Sequence, residues 1–418
     1  MKKRAFMILL SAAALLCGCT AQTAAPAPTA AQGPTPTTTP AVQEMPAAAA
    51  PSEEVQPEQP DAIAETIAGM TLREKIGQMF MIRPDSLDVS QTQDQINDAH
   101  SEGVTELSEE MRAVLADYPV GGVVQFGKNI TDGGQLLRFN TDLYSATAIP
   151  MLLGVDEEGG LIARLANHPA FELPQYESMA AIGATGDVAQ AQEMGKTIGG
   201  YLKEYGFNLD FAPDADVNSN PDNPVIGTRA FSDDPQVAAE MVVGAVQGFH
   251  EAGIACTIKH FPGHGDTATD THYGYAETQK TKDEIMNFEL APFRAGIDAG
   301  ADFVMAAHIT APNAAQDGLP ASLSHTMLTD WLRGDLDYDG LIITDSLAME
   351  AITDVYSAGD AARMAVEAGV DVLLMPNGLQ EAFDALVADV ENGTIAQSRI
   401  DESVTRILTL KQSYGMLG

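Results

Sequence analysis

From residue 61 onward, short and nearly continuous apolar runs alternate with stretches of helical period. The runs cover 75–82, 120–126, 151–155, 207–212, 255–259, 303–307, 341–344 and 372–375. Apolar runs without alternation suit parallel strands buried on both faces. Between them, 239–252, 282–299, 360–368 and 381–391 carry apolar residues at helical spacing, as Leu290, Phe293 and Ile297 do. Eight strand–helix alternations predict an α/β fold, a single (β/α)₈ barrel spanning 61–418. An open doubly wound sheet shares this alternation, and period alone does not separate the two. The stretch 83–117 is long for one connection and polar in its first half, which predicts an insertion over one face.

The barrel reading places the ionisable residues. Asp156 follows the third run, Asp214 and Asp216 the fourth, Lys259 and His260 the fifth, His308 the sixth and Asp345 the seventh. In a barrel those positions share the C-terminal face, where active sites are built. A purely structural barrel gives no reason to gather charges there, so the pattern predicts an enzyme.

The first sixty residues belong to another class. Lys2, Lys3 and Arg4 precede an apolar run over 5–16, too short for an ordinary membrane span, so the segment reads as a secretory signal. It ends in Leu16-Cys17-Gly18-Cys19, which resembles a bacterial lipobox. That resemblance implies removal of residues 1–18 and a lipid on Cys19; a plain signal peptide with an incidental cysteine is the simpler reading. Residues 19–60 form a linker that holds nine of the 23 prolines and few large apolar side chains, a composition of disorder. Its reach is roughly 35 Å as a flexible coil and up to about 125 Å as polyproline II. Anchor, spacer and globular domain suggest the outer side of a bacterial membrane, a surface or a periplasm.

Composition narrows the partners. With 22 basic and 59 acidic residues, the net charge of −37 repels a phosphate backbone, so nucleic acid is not an expected partner. Three cysteines make no disulfide framework. A monomer is expected, attached to the membrane through the lipid alone.

Three segments carry candidate chemistry. Lys259-His260-Phe261-Pro262-Gly263-His264-Gly265-Asp266 continues to Asp270-Thr271-His272-Tyr273-Gly274, with three of the eight histidines within thirteen residues. The glycines give this loop freedom to move or to approach a ligand. Asp270 and His272 are close enough along the chain for the carboxylate to fix the imidazole tautomer and raise its pKa, which suits a proton donor near neutral pH. Two plainer readings compete with this one: a set of metal ligands, or a polar loop whose histidines only cap and pack. Leu341-Ile342-Ile343-Thr344-Asp345 ends a strand on a carboxylate, either a nucleophile or a helix N-cap. Val155-Asp156-Glu157-Glu158-Gly159-Gly160 offers carboxylates for paired sugar hydroxyls. Arg164 and Arg229, taken singly, read as surface ion pairs or as ligand contacts.

Together these segments resemble glycoside hydrolase family 3, in its β-N-acetylglucosaminidase branch. The likeness rests on Asp156-Glu157-Glu158-Gly159-Gly160 with Arg164, Gly227-Thr228-Arg229-Ala230-Phe231, Lys259 to Gly265, Asp270-Thr271-His272 and Thr344-Asp345-Ser346-Leu347, in order over about 65–415. It implies a (β/α)₈ barrel and a retaining double displacement with no metal or other cofactor. Asp345 would be the nucleophile and His272, paired with Asp270, the acid/base, in place of the second carboxylate of the common scheme. Asp156, Arg164, Arg229, Lys259 and His260 would grip the terminal sugar, and the cations would help keep Asp345 ionised. Thr271 and Ser346 stand where Ser and Asp are the more frequent residues of the family.

The resemblance implies an exo-β-N-acetylglucosaminidase acting on peptidoglycan fragments or other N-acetylglucosamine-terminated oligosaccharides. One tryptophan, Trp331, among 25 aromatics leaves little for a long stacking cleft and agrees with exo action. A sugar-binding lipoprotein without turnover, a metal-dependent barrel hydrolase, and a phosphorylase or β-glucosidase variant are the competing readings.

Overall fold

Thr71 accepts the Glu74 N–H, and the Glu74 carboxylate accepts the Thr71 N–H at 2.7 Å. This capping box starts a helix, Leu72–Gln78, whose end takes up the first half of what reads by apolarity alone as one strand. Only Phe80–Ile82 is extended (β1). The run 75–82 is therefore a buried helix end followed by a strand, a division that a short apolar run does not reveal.

The computed structural model describes residues 62–268 and 276–417. The signal segment, Cys19, the linker 19–60, and Asp270, Thr271 and His272 lie outside the described residues.

Seven further strands follow β1: Gly122–Gln125 (β2), Leu152–Val155 (β3), Leu209–Asp210 (β4), Ala255–Phe261 (β5), Phe303–Ala306 (β6), Leu341–Thr344 (β7) and Leu373–Leu374 (β8). Every residue in them is buried. Each strand pairs in parallel with its neighbours in sequence, and β1 pairs with β8, Phe80 opposite Leu373. A bridge between Ile343 and Val372 joins β7 to β8, reinforced by the Thr344 N–H to Val372 carbonyl bond of 3.1 Å. The eight strands thus form a ring, which excludes the open sheet.

Helices cover the outside. Pro235–Ala252 begins four residues before the expected 239, because Asp234 caps it and Pro235 occupies its first turn. The expected helix 282–299 is split. Lys282–Glu284 passes into a π turn, Ile285–Glu289, before Ala291–Asp298 resumes with Pro292 in its first turn, where no N–H is available to continue the ladder. The insertion after β1 contains Pro84–Leu87, Gln93–Asn97 and Glu109–Asp117. Buried Asp85 fastens it to the end of β2, accepting from Asn129 Nδ2 at 2.8 Å and facing Lys128 Nζ at 3.5 Å. No helix of the described residues is long and apolar enough to cross a membrane.

Candidate active site

The loops after the strands enclose a cavity of about 340 Å³ at the C-terminal end of the ring. Asp156, Arg164, Arg229, Lys259, His260 and Asp345 all line it. They come from the ends of β3, β4, β5 and β7 and the loops after them, between positions 156 and 345, and only closure of the barrel brings them together.

Asp156 and Glu158 stand two apart on extended chain, so both carboxylates face one side while Glu157 faces the other. Glu157 turns inward and accepts from the Leu165 and Ala166 N–H groups and from the Tyr201 hydroxyl, each at 2.8 Å. Lys259 Nζ lies between the two facing carboxylates, 2.8 Å from Asp156 Oδ1 and 2.7 Å from Glu158 Oε1. Arg229 grips Glu158 with Nε at 2.9 Å and Nη2 at 2.7 Å. Burial by itself raises the Glu158 pKa, but Arg229 and Lys259 outweigh it and hold the carboxyl well below its ordinary value. The same contest resolves the same way at Asp156, against Lys259 and Arg164.

Arg229 Nη2 also lies 3.3 Å from His260 Nε2, and His260 Nδ1 lies 2.7 Å from Asp216 Oδ2. A guanidinium only donates, so Nε2 accepts and the ring proton sits on Nδ1, donated to Asp216. Burial, then Arg229, push the His260 pKa down to about 4, so the ring is neutral at working pH. Asp216 Oδ1 takes the His264 N–H at 2.6 Å, which ties the two histidines of the loop to one carboxylate. Burial and the neighbouring Asp216 push Asp214 up to about 7.

Asp345 ends β7. Its N–H donates to the Ala306 carbonyl at 2.8 Å, and its Oδ1 accepts the Ser346 N–H at 2.7 Å. The next helix, Glu350–Thr353, has Met349 at its N-cap, so Asp345 is not a helix cap. Beneath it, fully buried His308 contacts the Ser346 carbonyl through Nε2 at 2.8 Å and the Ser322 hydroxyl through Nδ1 at 2.7 Å. A carbonyl only accepts, so Nε2 carries a proton.

Two glycines of the loop serve packing rather than motion. A Cβ on Gly265 would meet the Val217 carbonyl oxygen at 1.7 Å, and Gly263 has φ 118° against Glu289. A side chain at 265 would have to displace the Val217 backbone, and one at 263 would meet the Glu289 side chain at 2.8 Å from a left-handed backbone conformation.

Among the described residues, two clusters have donor sets suited to a cation, with ligand atoms within 4.8 Å of one another: Asp214, Asp216 and His260, and, away from the cavity, His250, Cys256 and Asp302. Their atoms are largely spent on each other. In the first, Asp216 is held by His260 and His264, and Arg229 lies 3.8 Å from Asp214, where it repels a cation. In the second, Asp302 Oδ2 accepts from His250 at 2.9 Å, the Cys256 N–H at 3.0 Å and the Tyr414 hydroxyl at 2.9 Å.

Arg229 is no surface ion pair, since its side chain is only 11% exposed. Arg164 is more open and stands 3.6 Å from Asp156. The sequence reading offered Glu158 only as one of several carboxylates for sugar hydroxyls and did not foresee its pairing with Arg229 and Lys259, although the two-residue spacing from Asp156 signals a shared face. It likewise passed over Asp216 as the partner of His260, for which no local signal exists.

A β-hexosaminidase A of Pseudoalteromonas piscicida is 34% identical over 74% of this chain and 56% of its own length. A β-hexosaminidase of Xanthomonas campestris pv. campestris is 36% identical over 69% of this chain and 87% of its own. Among solved structures, a glycoside hydrolase family 3 β-N-acetylglucosaminidase from Paenibacillus sp. superimposes with a TM-score of 0.74 at 38% identity, over 84% of this chain and 64% of that one. The chain therefore spans little more than half of the first of these relatives. The family model described as the glycosyl hydrolase family 3 N-terminal domain matches residues 71–410. With a closed barrel and these charges gathered at its C-terminal mouth, the chain belongs to glycosyl hydrolase family 3.

Proposed function

We propose that the protein is a retaining exo-β-N-acetylglucosaminidase that removes terminal N-acetylglucosamine from peptidoglycan-derived fragments. The carrying observation is Asp345, at the end of β7, sharing one cavity with the interlocked Asp156, Lys259, Glu158, Arg229 and His260. These groups present fixed donors and acceptors to sugar hydroxyls, and little of them must reorganise on binding. The names of the Pseudoalteromonas, Xanthomonas and Paenibacillus proteins support the acetamido sugar as substrate.

In the proposed reaction the Asp345 carboxylate attacks the anomeric carbon, and the bond to the leaving oxygen breaks as His272, oriented by Asp270, delivers a proton. Water then attacks the glycosyl ester. His272 takes the water proton, and Asp345 leaves as a carboxylate. Asp156, Arg164, Arg229, Lys259 and His260 hold the sugar, and no cofactor takes part. Lipidation of Cys19 and a 41-residue spacer place the domain outside a bacterial membrane, as a monomer.

The test is nitrophenol release from 4-nitrophenyl N-acetyl-β-D-glucosaminide by the full chain, with the β-glucoside as control and with chelator present. The same assay is run on Asp345→Ala and His272→Ala, and with and without phosphate. Hydrolysis of the acetamido sugar alone, lost by at least 10³-fold in both variants, is the expected result. A folded protein that binds the sugar without turnover overturns the assignment, as does dependence on phosphate. Radiolabelled palmitate incorporated by the wild type and not by Cys19→Ala tests the anchor.

A further inference from the structure

In sequence, Asp270 and His272 lie between Thr267 and Ala276, and the chain is fastened to the barrel on either side of them. Before them, the Asn223 side-chain amide donates to the His264 and Thr267 carbonyls at 2.8 and 2.9 Å. After them, Ala276–Glu277 pairs in parallel with Ile309–Thr310, and the Thr278 N–H donates to the Thr310 carbonyl at 3.0 Å.

The two flanks are also joined to each other. The Thr278 hydroxyl donates to Asp266 Oδ2 at 2.9 Å, and Lys280 Nζ faces Asp266 Oδ1 at 3.4 Å. The same ammonium contacts Glu289 Oε1 and lies 3.4 Å from the Ser219 hydroxyl, which donates to Glu289 Oε1 at 3.1 Å. Lys280 thus gathers Ser219 from the loop after β4, Asp266 from the loop after β5 and Glu289 from the helical segment before β6.

Glu289 is the fixed point of this cluster. It ends the π turn Ile285–Glu289, in which the Leu290 N–H reaches back to the Ile285 carbonyl at 2.9 Å. Such turns are rare and recur at functional sites. An exposed pair such as Lys282–Asp335, with side chains 43% and 47% open to water, positions little, because water screens it and both chains move. The Glu289 side chain is 2% exposed and packs against Gly263. Its Oε2 has no hydrogen-bond partner, so Lys280 and Ser219 are its polar contacts among the described residues. Asp266, Lys280 and Glu289 are absent from the lining of the sugar cavity, so the cluster is built to hold the chain and not the sugar.

We infer that Lys280, seated on Glu289, is a positioning residue for the reaction: by holding Asp266 it fixes the separation of the two flanks, and with it the place from which His272 delivers its proton. This role rests on the acid/base function proposed for His272. Tying the ends of a segment together removes many of the arrangements open to it, and a proton donor works only within hydrogen-bond reach of the leaving oxygen.

Leaving-group dependence tests this, because a phenolate that is already a weak base departs without a proton. With the full chain, kcat/KM is compared for phenyl and dinitrophenyl N-acetyl-β-D-glucosaminide. Lys280→Met keeps the apolar stem over the Phe288 ring, 5.0 Å from Nζ, and removes the charge. It should lose at least about tenfold on the phenyl substrate and less than about threefold on the dinitrophenyl one. Glu289→Gln should show the same contrast, and Lys280→Arg, which keeps the charge and reaches both carboxylates, should recover most of the phenyl activity. His272→Ala is run beside them, and circular dichroism confirms that each variant is folded. Equal losses on both substrates in Lys280→Met and Glu289→Gln, or no loss on either, overturn the inference. A contrast present in His272→Ala and missing from Lys280→Met overturns the positioning role alone, whereas His272→Ala losing equally on both substrates overturns the acid/base reading beneath it.

Discussion

Glu158 receives two parallel N–H donors from Arg229, 71 positions away in sequence, at 2.9 and 2.7 Å, and the same carboxylate faces Lys259 at 2.7 Å. The Glu158 side chain is fully buried, so it exists as a carboxylate only because two cations offset the loss of water. Two roles follow from one contact, holding the fold at the barrel mouth and aiming Arg229 at the cavity.

Arg229→Ala leaves Glu158 with Lys259 as its one cation. The variant should lose about 3 kcal/mol of unfolding free energy in a denaturant titration. It should also lose at least a hundredfold in kcat/KM on the nitrophenyl substrate. Arg229→Lys restores charge but cannot span both carboxylate oxygens, so its recovery should be small. Wild-type stability in Arg229→Ala would show that Lys259 alone suffices.

His260 is expected to stay neutral across the working range. Its folded pKa is depressed to about 4, below the unfolded value near 6.5. The folded state therefore binds fewer protons between those limits. The stability His260 contributes is present above about 6.5 and is lost as pH falls toward 4. Protonation would also turn Nε2 into a donor facing Arg229, so kcat/KM should fall on the acid side near pH 4. Nitrogen-labelled His260 should report a proton on Nδ1 at pH 7 and no titration between pH 6 and 8; a titration midpoint near 6.5 would refute the assignment.

His308 acts on Asp345 through the backbone of one residue, Ser346. Its Nε2 proton holds the Ser346 carbonyl, and the Ser346 N–H in turn binds Asp345 Oδ1. His308→Phe keeps an aromatic ring of similar breadth and removes both polar contacts. It should lower kcat by ten- to a hundredfold, the scale of a misplaced reacting group, while KM changes little. A variant that changes KM alone would place His308 in sugar binding.

Much of the fold was legible along the chain. All eight apolar runs contain barrel strands, because strands buried on both faces must be apolar throughout. The errors fall where a local signal competes with that pattern. The capping box of Thr71 and Glu74 turns the start of the first run into helix, and Pro292 interrupts the helix expected over 282–299. The glycines of the 263–265 loop, read as freedom, are there because Val217 and Glu289 leave no room for a side chain.

The sequence by itself determined the class of fold, the strand ends at which ionisable residues gather, and the motifs that identify the family. Those are properties of neighbouring residues and of period. Only the tertiary structure decided that Glu158 rather than Glu157 faces the cavity, that His260 carries its proton on Nδ1, and that Arg83 meets Arg164 over Phe126. Each of these depends on groups tens of residues apart, brought together by the register of a closed ring. Hydrogen-bond geometry and burial, which set charge and tautomer, exist only once that ring has formed.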